Sequence, residues 1–165
     1  MVLILGVLAD THGRLHPRAI PAFAAAGVEQ ILHAGDVGRP AVLEELAQVA
    51  PVIAVRGNVD HGEWATRLPE VVDRVIAGRR VVMTHIAGNP QRLVPAVAAL
   101  LAESQAELFI CGHSHRPLLA SWAPGRYWLN PGAAGRQGFH KRATIALVRL
   151  SANGIQAELR DLGPK

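Results

Sequence analysis

Five short apolar runs, each followed by polar residues with a glycine nearby, constrain the fold of this chain more than any other feature. The run 108–111, for example, ends at Gly112 and is followed by two histidines one residue apart. The polar residues after the five runs are Asp10 and His12, Asp36, Asn58, His85, and His113 with His115. A continuous apolar run is typical of a strand buried in a parallel sheet, and such sheets bind ligands beyond the carboxyl ends of their strands. We therefore expect these polar residues to share one edge of the fold.

The order of elements in the first third of the chain indicates an α/β fold. Strands are predicted over 2–8, 28–33 and 52–55, and helices over 16–26 and about 40–49. This alternation implies parallel strands joined by right-handed crossovers.

The remainder is predicted to be richer in strands. Ala77-Gly78 is expected to form a hairpin turn, Asn89-Pro90 to begin a helix that ends near residue 102, and 61–69 to be a loop. Further strands are predicted over 70–76, 79–84, 107–111, 118–122, 126–129, 142–150 and 155–161. The pattern predicts an α/β chain with two sheets packed face to face and helices outside, as a single domain over 1–165.

Composition narrows the classes of partner. Half of the 165 residues are apolar, which argues against disorder. The 17 basic and 13 acidic residues give a net charge of +4, which can favour nucleic acid. The chain has no run of five like charges and no alternation of arginines with aromatic residues. We therefore expect Arg56, Arg116, Arg136 and the other arginines to be surface charges, with a nucleic-acid partner left open.

The chain has features of a cytoplasmic protein. Cys111 is its one cysteine, so it cannot form an internal disulfide, which favours a reducing compartment. The apolar segment 1–9 has no basic residue and leads directly to Asp10, so it is interpreted as a strand and not as a signal peptide. No apolar segment approaches the ~20 residues that span a bilayer, so no membrane contact is expected.

The polar residues after the five runs are suited to binding metal. Seven oxygen and nitrogen ligands exceed the need of one tetrahedral zinc ion and favour two adjacent ions that share a carboxylate. Imidazole and carboxylate ligands without thiolate favour manganese, iron, nickel or zinc over magnesium or calcium. Two such ions can promote an in-line displacement at phosphorus.

The motifs together resemble those of the calcineurin-like metallophosphoesterases. They are Asp10-x-His12, Gly35-Asp36, Gly57-Asn58-x-Asp60, His85 and Gly112-His113-Ser114-His115. The length of the chain and Asn130-Pro131-Gly132 are most similar to the small bacterial and archaeal phosphodiesterases, and the resemblance covers about 2–150. It implies a four-layer αββα sandwich of two mixed sheets flanked by helices.

The resemblance also implies a set of ligands and an activity. One divalent ion would be bound by Asp10, His12 and His115, and the other by Asn58, His85 and His113. Asp36 would bridge the two ions, of which manganese is the first candidate and iron, nickel or zinc the others. The implied activity is hydrolysis of a small phosphodiester by a hydroxide that bridges the metals.

The sequence departs from the family pattern at three positions. Val59 stands where many relatives have a histidine thought to protonate the leaving group, so protonation is absent, or is carried out by His61, or by water. Ile86 follows His85 where glycine is usual, and Ala133 replaces a common serine. His61 is therefore our candidate for a catalytic acid.

A second function is compatible with the same motifs. The fold also serves as a protein-interaction scaffold with little or no catalytic activity, an alternative that Val59 favours and the complete ligand set opposes. Trp122, Tyr127 and Trp128 are interpreted as core or as a patch for a homo-oligomer. Outside the motifs, His33 is expected in the core, and His16 and His140 are expected at the surface.

Overall fold

The structure is a computed structural model that describes residues 2–138 and 140–165. Its elements, in order, are β1 (Val2–Leu8), α1 (Ala19–Ala26), β2 (Gln30–His33), α2 (Pro40–Ala47), β3 (Val52–Ala54), α3 (Glu63–Thr66), β4 (Val71–Ile76), β5 (Arg79–Thr84), β6 (Gly88–Asn89), β7 (Arg92–Leu93), α4 (Pro95–Ser104), β8 (Leu108–Ile110), β9 (Leu118–Ala123), β10 (Arg126–Asn130), β11 (Arg142–Ser151) and β12 (Gly154–Pro164). The predicted α/β class is confirmed.

Two mixed five-stranded sheets form the centre of the molecule. The first has the order β12-β11-β1-β2-β3 and the second the order β4-β5-β8-β10-β9. In the first sheet β1, β2 and β3 are parallel, and in the second β5, β8 and β10 are parallel. The other strands pair in the antiparallel direction.

Alternation along the strands places one apolar face between the sheets and the other beneath helices. In β1 and the residue after it, Leu5, Val7 and Ala9 pack between the two sheets, and Leu8 packs outward with Phe23 of α1. On the second sheet, Phe109 and Trp128 pack outward with Val97 of α4, and their rings lie 4.6 Å apart. Helices therefore cover both outer faces, and the predicted αββα sandwich is confirmed.

The helix predicted over 16–26 begins later, at Ala19, and ends as expected at Gly27, which has a left-handed conformation. His16 is 4% exposed, so the prediction that it lies at the surface is wrong. Its Nε2 lies 3.0 Å from the carbonyl oxygen of Pro164, at the end of β12. This contact between residues 148 apart has no signal in the local sequence.

The helix predicted at Asn89-Pro90 begins at Pro95 instead, which occupies the first turn of α4. Asn89 lies in the small β6–β7 hairpin, where its Oδ1 accepts hydrogen bonds from the amides of Gln91 and Arg92, both at 3.0 Å. Asn-Pro favours turns as well as helix starts, so the local sequence did not distinguish them. The predicted loop 61–69 contains the short helix α3, whose Trp64 packs on the first sheet's outer core.

The three late aromatic residues divide between core and surface. Trp128 is 3% exposed, whereas Trp122 is 37% exposed on the edge strand β9. His33 is buried as predicted, and His140 is partly buried. Within the described residues, we find no helix with the length and apolar character required to cross a bilayer.

Candidate metal centre

The carboxyl ends of the parallel strands of both sheets meet at one end of the sandwich. The loops after β1, β2 and β3 lie beside the loops after β5 and β8 and are joined by backbone hydrogen bonds. The amide of Asp10 donates to Gly35 O at 3.0 Å, and the amide of Gly112 donates to His85 O at 3.0 Å. All seven predicted ligands lie in these loops, as the parallel strand order requires.

The backbone at this end is unusual. In the residues that the structure describes, seven non-glycine residues have positive φ, and five of them are predicted ligands. These five are Asp10, His12, Asp36, His113 and His115, with φ between 46° and 67°. Side chains other than Asn and Asp seldom adopt this left-handed region, and such strain is concentrated at functional sites. The left-handed turns direct several side chains toward one point just beyond the strands.

Asp10, His12 and His115 form the first candidate group, with ligand atoms within 4.8 Å of one another. The Nε2 atoms of His12 and His115 are 3.2 Å apart, and His115 Nε2 lies 3.4 Å from Asp10 Oδ1. Asp10 is fully buried. Its carboxylate also accepts a hydrogen bond from the amide of His113, with 3.1 Å to Oδ2, which ties the loop after β1 to the loop after β8.

Asp36, His85 and His113 form the second candidate group, also within 4.8 Å. Asn58 belongs to it by position, because its Oδ1 lies 3.0 Å from His85 Nε2 and 2.9 Å from His113 Nδ1. The Nδ1 of His85 donates to the carbonyl oxygen of Ala34 at 2.7 Å, which fixes the ring and leaves Nε2 facing the centre.

Asp36 faces both groups. Its Oδ1 lies 3.2 Å from His85 Nε2, and its Oδ2 lies 3.8 Å from His12 Nε2. The amide of Val59 donates to Oδ1 at 3.0 Å and holds the carboxylate from the side of the loop after β3. Asp36 is 2% exposed, so this charge is kept where water cannot screen it.

The charges at the centre depend on these contacts. Burial raises the pKa of Asp36, but the hydrogen bonds from His85 and the Val59 amide outweigh burial and hold the pKa below its usual value. Burial lowers the pKa of His85, but its contact with Asp36 outweighs burial and raises the pKa. Burial lowers the pKa of His12, which favours its neutral form. The raised pKa favours the protonated form of His85 beside Asp36, and a metal ion bound at Nε2 would take the place of that proton.

The donor set fits two divalent ions. Two donors that each lie about 2.1 Å from one ion are separated by about 3.0 to 3.5 Å. The His12–His115 and His85–Asp36 separations are both 3.2 Å. In the second group, His85 Nε2 lies close to Asp36 Oδ1 and to Asn58 Oδ1, so a cation that replaced its proton would have all three atoms as ligands. The two groups together supply imidazole, carboxylate and amide oxygen, which suit a borderline transition metal.

Two glycines allow the loops to approach closely. A Cβ on Gly57 would lie 2.0 Å from the amide nitrogen of Asp36 and 2.1 Å from its Oδ1. A Cβ on Gly35 would lie 2.6 Å from His85 Nδ1, and Gly35 also has φ of +89°. A side chain at either position would displace a predicted ligand, which explains the glycines beside Asp36 and Asn58.

Asp60 belongs to the motif Gly57-Asn58-x-Asp60 but is not one of the predicted ligands, and in the structure it holds two loops together. Its buried carboxylate accepts three backbone hydrogen bonds, from Val37 at 3.2 Å, Gly38 at 2.7 Å and Gly57 at 2.8 Å. It thereby joins the loop that carries Asp36 to the loop that carries Asn58. In the sequence, the motif spacing Asn58-x-Asp60 is the one feature that points to a role for Asp60.

Thr11 and His33 form a second support that the sequence did not reveal. Thr11 Oγ1 donates to Val37 O at 3.0 Å and lies 2.9 Å from His33 Nε2, which therefore donates to it. His33 is fully buried, and burial lowers its pKa to about 4. This chain of contacts links the loop after β1 to the loop after β2, directly behind the candidate ligands.

Asn130 supports the loop that carries His113 and His115. Its Nδ2 donates to Gly112 O at 2.9 Å and Ser114 Oγ at 3.1 Å, and its Oδ1 accepts from the Gly132 amide at 2.9 Å. Ala133, which replaces the common serine, is buried.

The other candidate residues lie outside the two groups. His61 is exposed and lines a cavity that Asn58 and His85 also line. Arg56 lines the same cavity and is paired with Glu70. Arg116 and Arg136 are exposed, as expected.

The sequence of residues 3–153 matches the family model of the calcineurin-like phosphoesterase superfamily domain. The chain belongs to this superfamily. A probable metallophosphoesterase of Methanothermobacter thermautotrophicus is 34% identical over 134 residues, which are 79% of this chain and 77% of that protein. The resemblance read from the motifs is therefore confirmed.

Solved structures with a similar fold superpose over nearly the whole chain. An archaeal phosphodiesterase has a TM-score of 0.77 at 22% identity, covering 97% of this chain and 100% of that one. Vps29 of Entamoeba histolytica, in complex with Zn²⁺, has a TM-score of 0.71 at 19% identity, covering 96% and 99%. At these identities the similarity shows the shared fold.

Proposed function

We propose that this phosphoesterase chain acts, as a single domain, as a dinuclear metal-dependent phosphodiesterase. The observation that carries the proposal is the position of Asp36, whose two carboxylate oxygens face different candidate groups. Asp10, His12 and His115 would hold one ion, and Asn58, His85 and His113 the other. Manganese remains the first candidate, with iron, nickel and zinc as alternatives, and zinc is the ion bound by one Vps29 relative.

A bound pair of ions would supply Lewis acidity that activates water and neutralises charge at phosphorus. The chain itself holds the ligands in place, because Asp60, Thr11 and Asn130 fix the loops on which they lie. Hydrolysis adds water across one P–O bond and yields a phosphomonoester and an alcohol. His61 would donate a proton to the departing oxygen from the cavity beside Asn58 and His85.

The test combines metal stoichiometry with turnover. Metal-free protein should bind two equivalents of Mn²⁺ in calorimetry and then hydrolyse bis-p-nitrophenyl phosphate, and chelation should abolish the activity. Binding of one equivalent at saturation would contradict a dinuclear centre. His61→Ala should slow a diester with a poor leaving group more than one with p-nitrophenol, and an unchanged ratio would remove His61 from the mechanism.

The second candidate is the interaction scaffold, which the fold shared with Vps29 keeps in consideration. Two equivalents of metal without hydrolysis of any diester would favour it. The same measurement therefore separates the two functions, because both predict a folded metal-binding protein and only one predicts turnover.

A further inference from the structure

Helix α4 lies on the outer face of the second sheet and has almost no polar side. Every side chain from Leu93 to Ala102 is apolar. Val97 is buried against the sheet, and Leu100 and Leu101 are only partly buried. The exposed residues of the helix are Pro95, Ala96, Ala98, Ala99, Ala102 and Glu103. A helix that is apolar on all sides is typical of a buried position, so the outer side of α4 has the composition of a surface that another layer covers.

The charges at the two ends of α4 are opposite in sign and oppose the helix dipole. Arg92 lies just before the helix and Glu103 lies in its last turn, and both are exposed. Among the described residues neither side chain forms an ion pair. The N-terminus of a helix favours an anion and the C-terminus a cation, so each charge lies at the unfavourable end of α4.

Helix α1, on the outer face of the first sheet, lacks this arrangement. It is equally apolar from Ala19 to Ala26 but contains no charged residue. Arg18, directly before it, donates to Leu162 O at 3.3 Å. Exposed alanines alone are therefore a property that both helices share, and the two unpaired charges distinguish α4.

An exposed aromatic side chain extends the apolar surface beyond α4. Gln105 Oε1, at the end of α4, accepts a hydrogen bond from Arg126 at 2.6 Å, and Arg126 pairs with Ala123 of β9. The end of α4 therefore lies beside the end of β9. Trp122, the residue before Ala123, is 37% exposed, and tryptophan is enriched in protein interfaces. We call the exposed side of α4 together with Trp122 the α4 face.

We infer that the α4 face binds a second copy of this chain about a two-fold axis, with the two α4 helices antiparallel. Arg92 of each copy then lies next to Glu103 of the other, and Ala96 lies next to Ala99. The face is thus complementary to itself, as a two-fold interface requires. The second copy brings an anion to the N-terminus of each α4 and a cation to its C-terminus, which compensates the dipole. Alanines allow the two helices to approach closely, which brings Trp122 within reach of the second copy.

The oligomeric state in solution tests the inference. Sedimentation velocity of this chain over about a hundredfold range of concentration should show a monomer–dimer equilibrium. Ala99→Glu places a carboxylate in the middle of the face and should raise the Kd of the dimer at least about tenfold. Glutamate is nearly as good a helix former as alanine, so α4 itself should be retained. Ala25→Glu, at an exposed alanine of α1, is the matched control and should leave the Kd unchanged.

A charge exchange tests the antiparallel arrangement itself. Arg92→Glu or Glu103→Arg alone would place like charges together at both ends of the interface and should raise the Kd severalfold. The double variant restores opposite charges and should return the Kd to within about twofold of that of the unaltered protein.

The results are independent of the proposed function, because the candidate ligands lie outside the α4 face. A monomer at every concentration would overturn the inference, and so would a dimer that Ala99→Glu does not weaken or that Ala25→Glu weakens equally. Single exchanges that weaken the dimer without recovery in the double variant would exclude the antiparallel arrangement. Mn²⁺ binding and diester hydrolysis, measured on the same variants, should remain unchanged.

Discussion

The two ends of the sandwich both hold clusters of charged side chains, but the clusters are built in opposite ways. At the amino-terminal ends of β5 and β8, all three nitrogens of the Arg79 guanidinium have an acceptor. Arg79 donates to Glu107 Oε1 at 2.7 Å, Ser151 O at 3.0 Å and Ala152 O at 2.6 Å. At the carboxyl ends, ring nitrogens and carboxylates converge on one another, as in the 3.2 Å separation of His12 and His115 Nε2.

The difference shows how a structural charge cluster is distinguished from a candidate site. The Arg79–Glu107 cluster is complete in itself, and its two residues lie at the first residue of β5 and just before β8, neither with a positive φ. The histidine and aspartate cluster is assembled on left-handed backbone, and its ring nitrogens and carboxylate oxygens face one another. Backbone strain and ligand-type atoms that converge on one another together indicate a site that is arranged for a ligand and not for stability.

The largest expected effect follows from removing the carboxylate that faces both groups. Asp36→Asn should lower diester hydrolysis about a thousandfold and bind fewer than two equivalents of metal. Glu107→Gln removes a carboxylate at the opposite end and should leave both measurements unchanged. Equal loss in the two variants would show that the ends do not differ in function.

The second effect tests the close approach of the loops. Gly57→Ala should reduce hydrolysis about a hundredfold and the free energy of unfolding by about 3 kcal/mol, because the added Cβ meets the backbone of Asp36. Gly125, directly before β10, is the control position. A Cβ added there would have no neighbour within 4 Å, but the residue has φ of +72°. Gly125→Ala should therefore cost about 1 kcal/mol, from backbone strain alone. Denaturant unfolding and turnover of both variants measure the contrast.

The third prediction concerns the loss of stability at acidic pH. The pKa of His33 is near 6.5 in the unfolded chain, and burial lowers it to about 4 in the folded one. Between these values the unfolded state binds more protons, so the free energy of unfolding of metal-free protein should fall by about 2 to 3 kcal/mol as the pH falls from 6.5 to 4. His33→Gln should flatten this dependence in urea titrations at successive pH values. If the free energy of unfolding of His33→Gln falls with pH as steeply as that of the unaltered protein, the loss of stability in acid is due to other groups.

The smallest expected effect on stability comes from the cluster of Arg79 and Glu107. Burial raises the pKa of Glu107, but the hydrogen bond from Arg79 outweighs it and lowers the pKa. Its contribution is therefore present above the unfolded value near 4.5 and is lost as the pH falls through the lower folded value. Glu107→Gln should reduce the free energy of unfolding at pH 7 by about 1 kcal/mol, because the pair is partly exposed to water. The difference in free energy of unfolding between Glu107→Gln and the unaltered protein should shrink below pH 4.

The sequence by itself determined the class of fold and where the candidate ligands lie. Apolar runs indicate buried strands. When strands alternate with helices along the chain, neighbouring strands are parallel, so their carboxyl ends lie at the same edge of the sheet. That reasoning placed Asp10, Asp36, Asn58 and His85 at one edge without any structure. The local turn residues were less informative, since Asn89-Pro90 suited a helix start and a hairpin equally well.

Only the tertiary structure decided how the loops are held. The triple acceptor role of Asp60, the Thr11–His33 contact and the burial of His16 join residues between 3 and 148 positions apart. No periodicity encodes such pairs, because periodicity describes a residue's face on its own strand or helix. The left-handed turns at the ligands and the cavity beside Asn58 and His85 likewise arise from loops that meet only after the two sheets have packed.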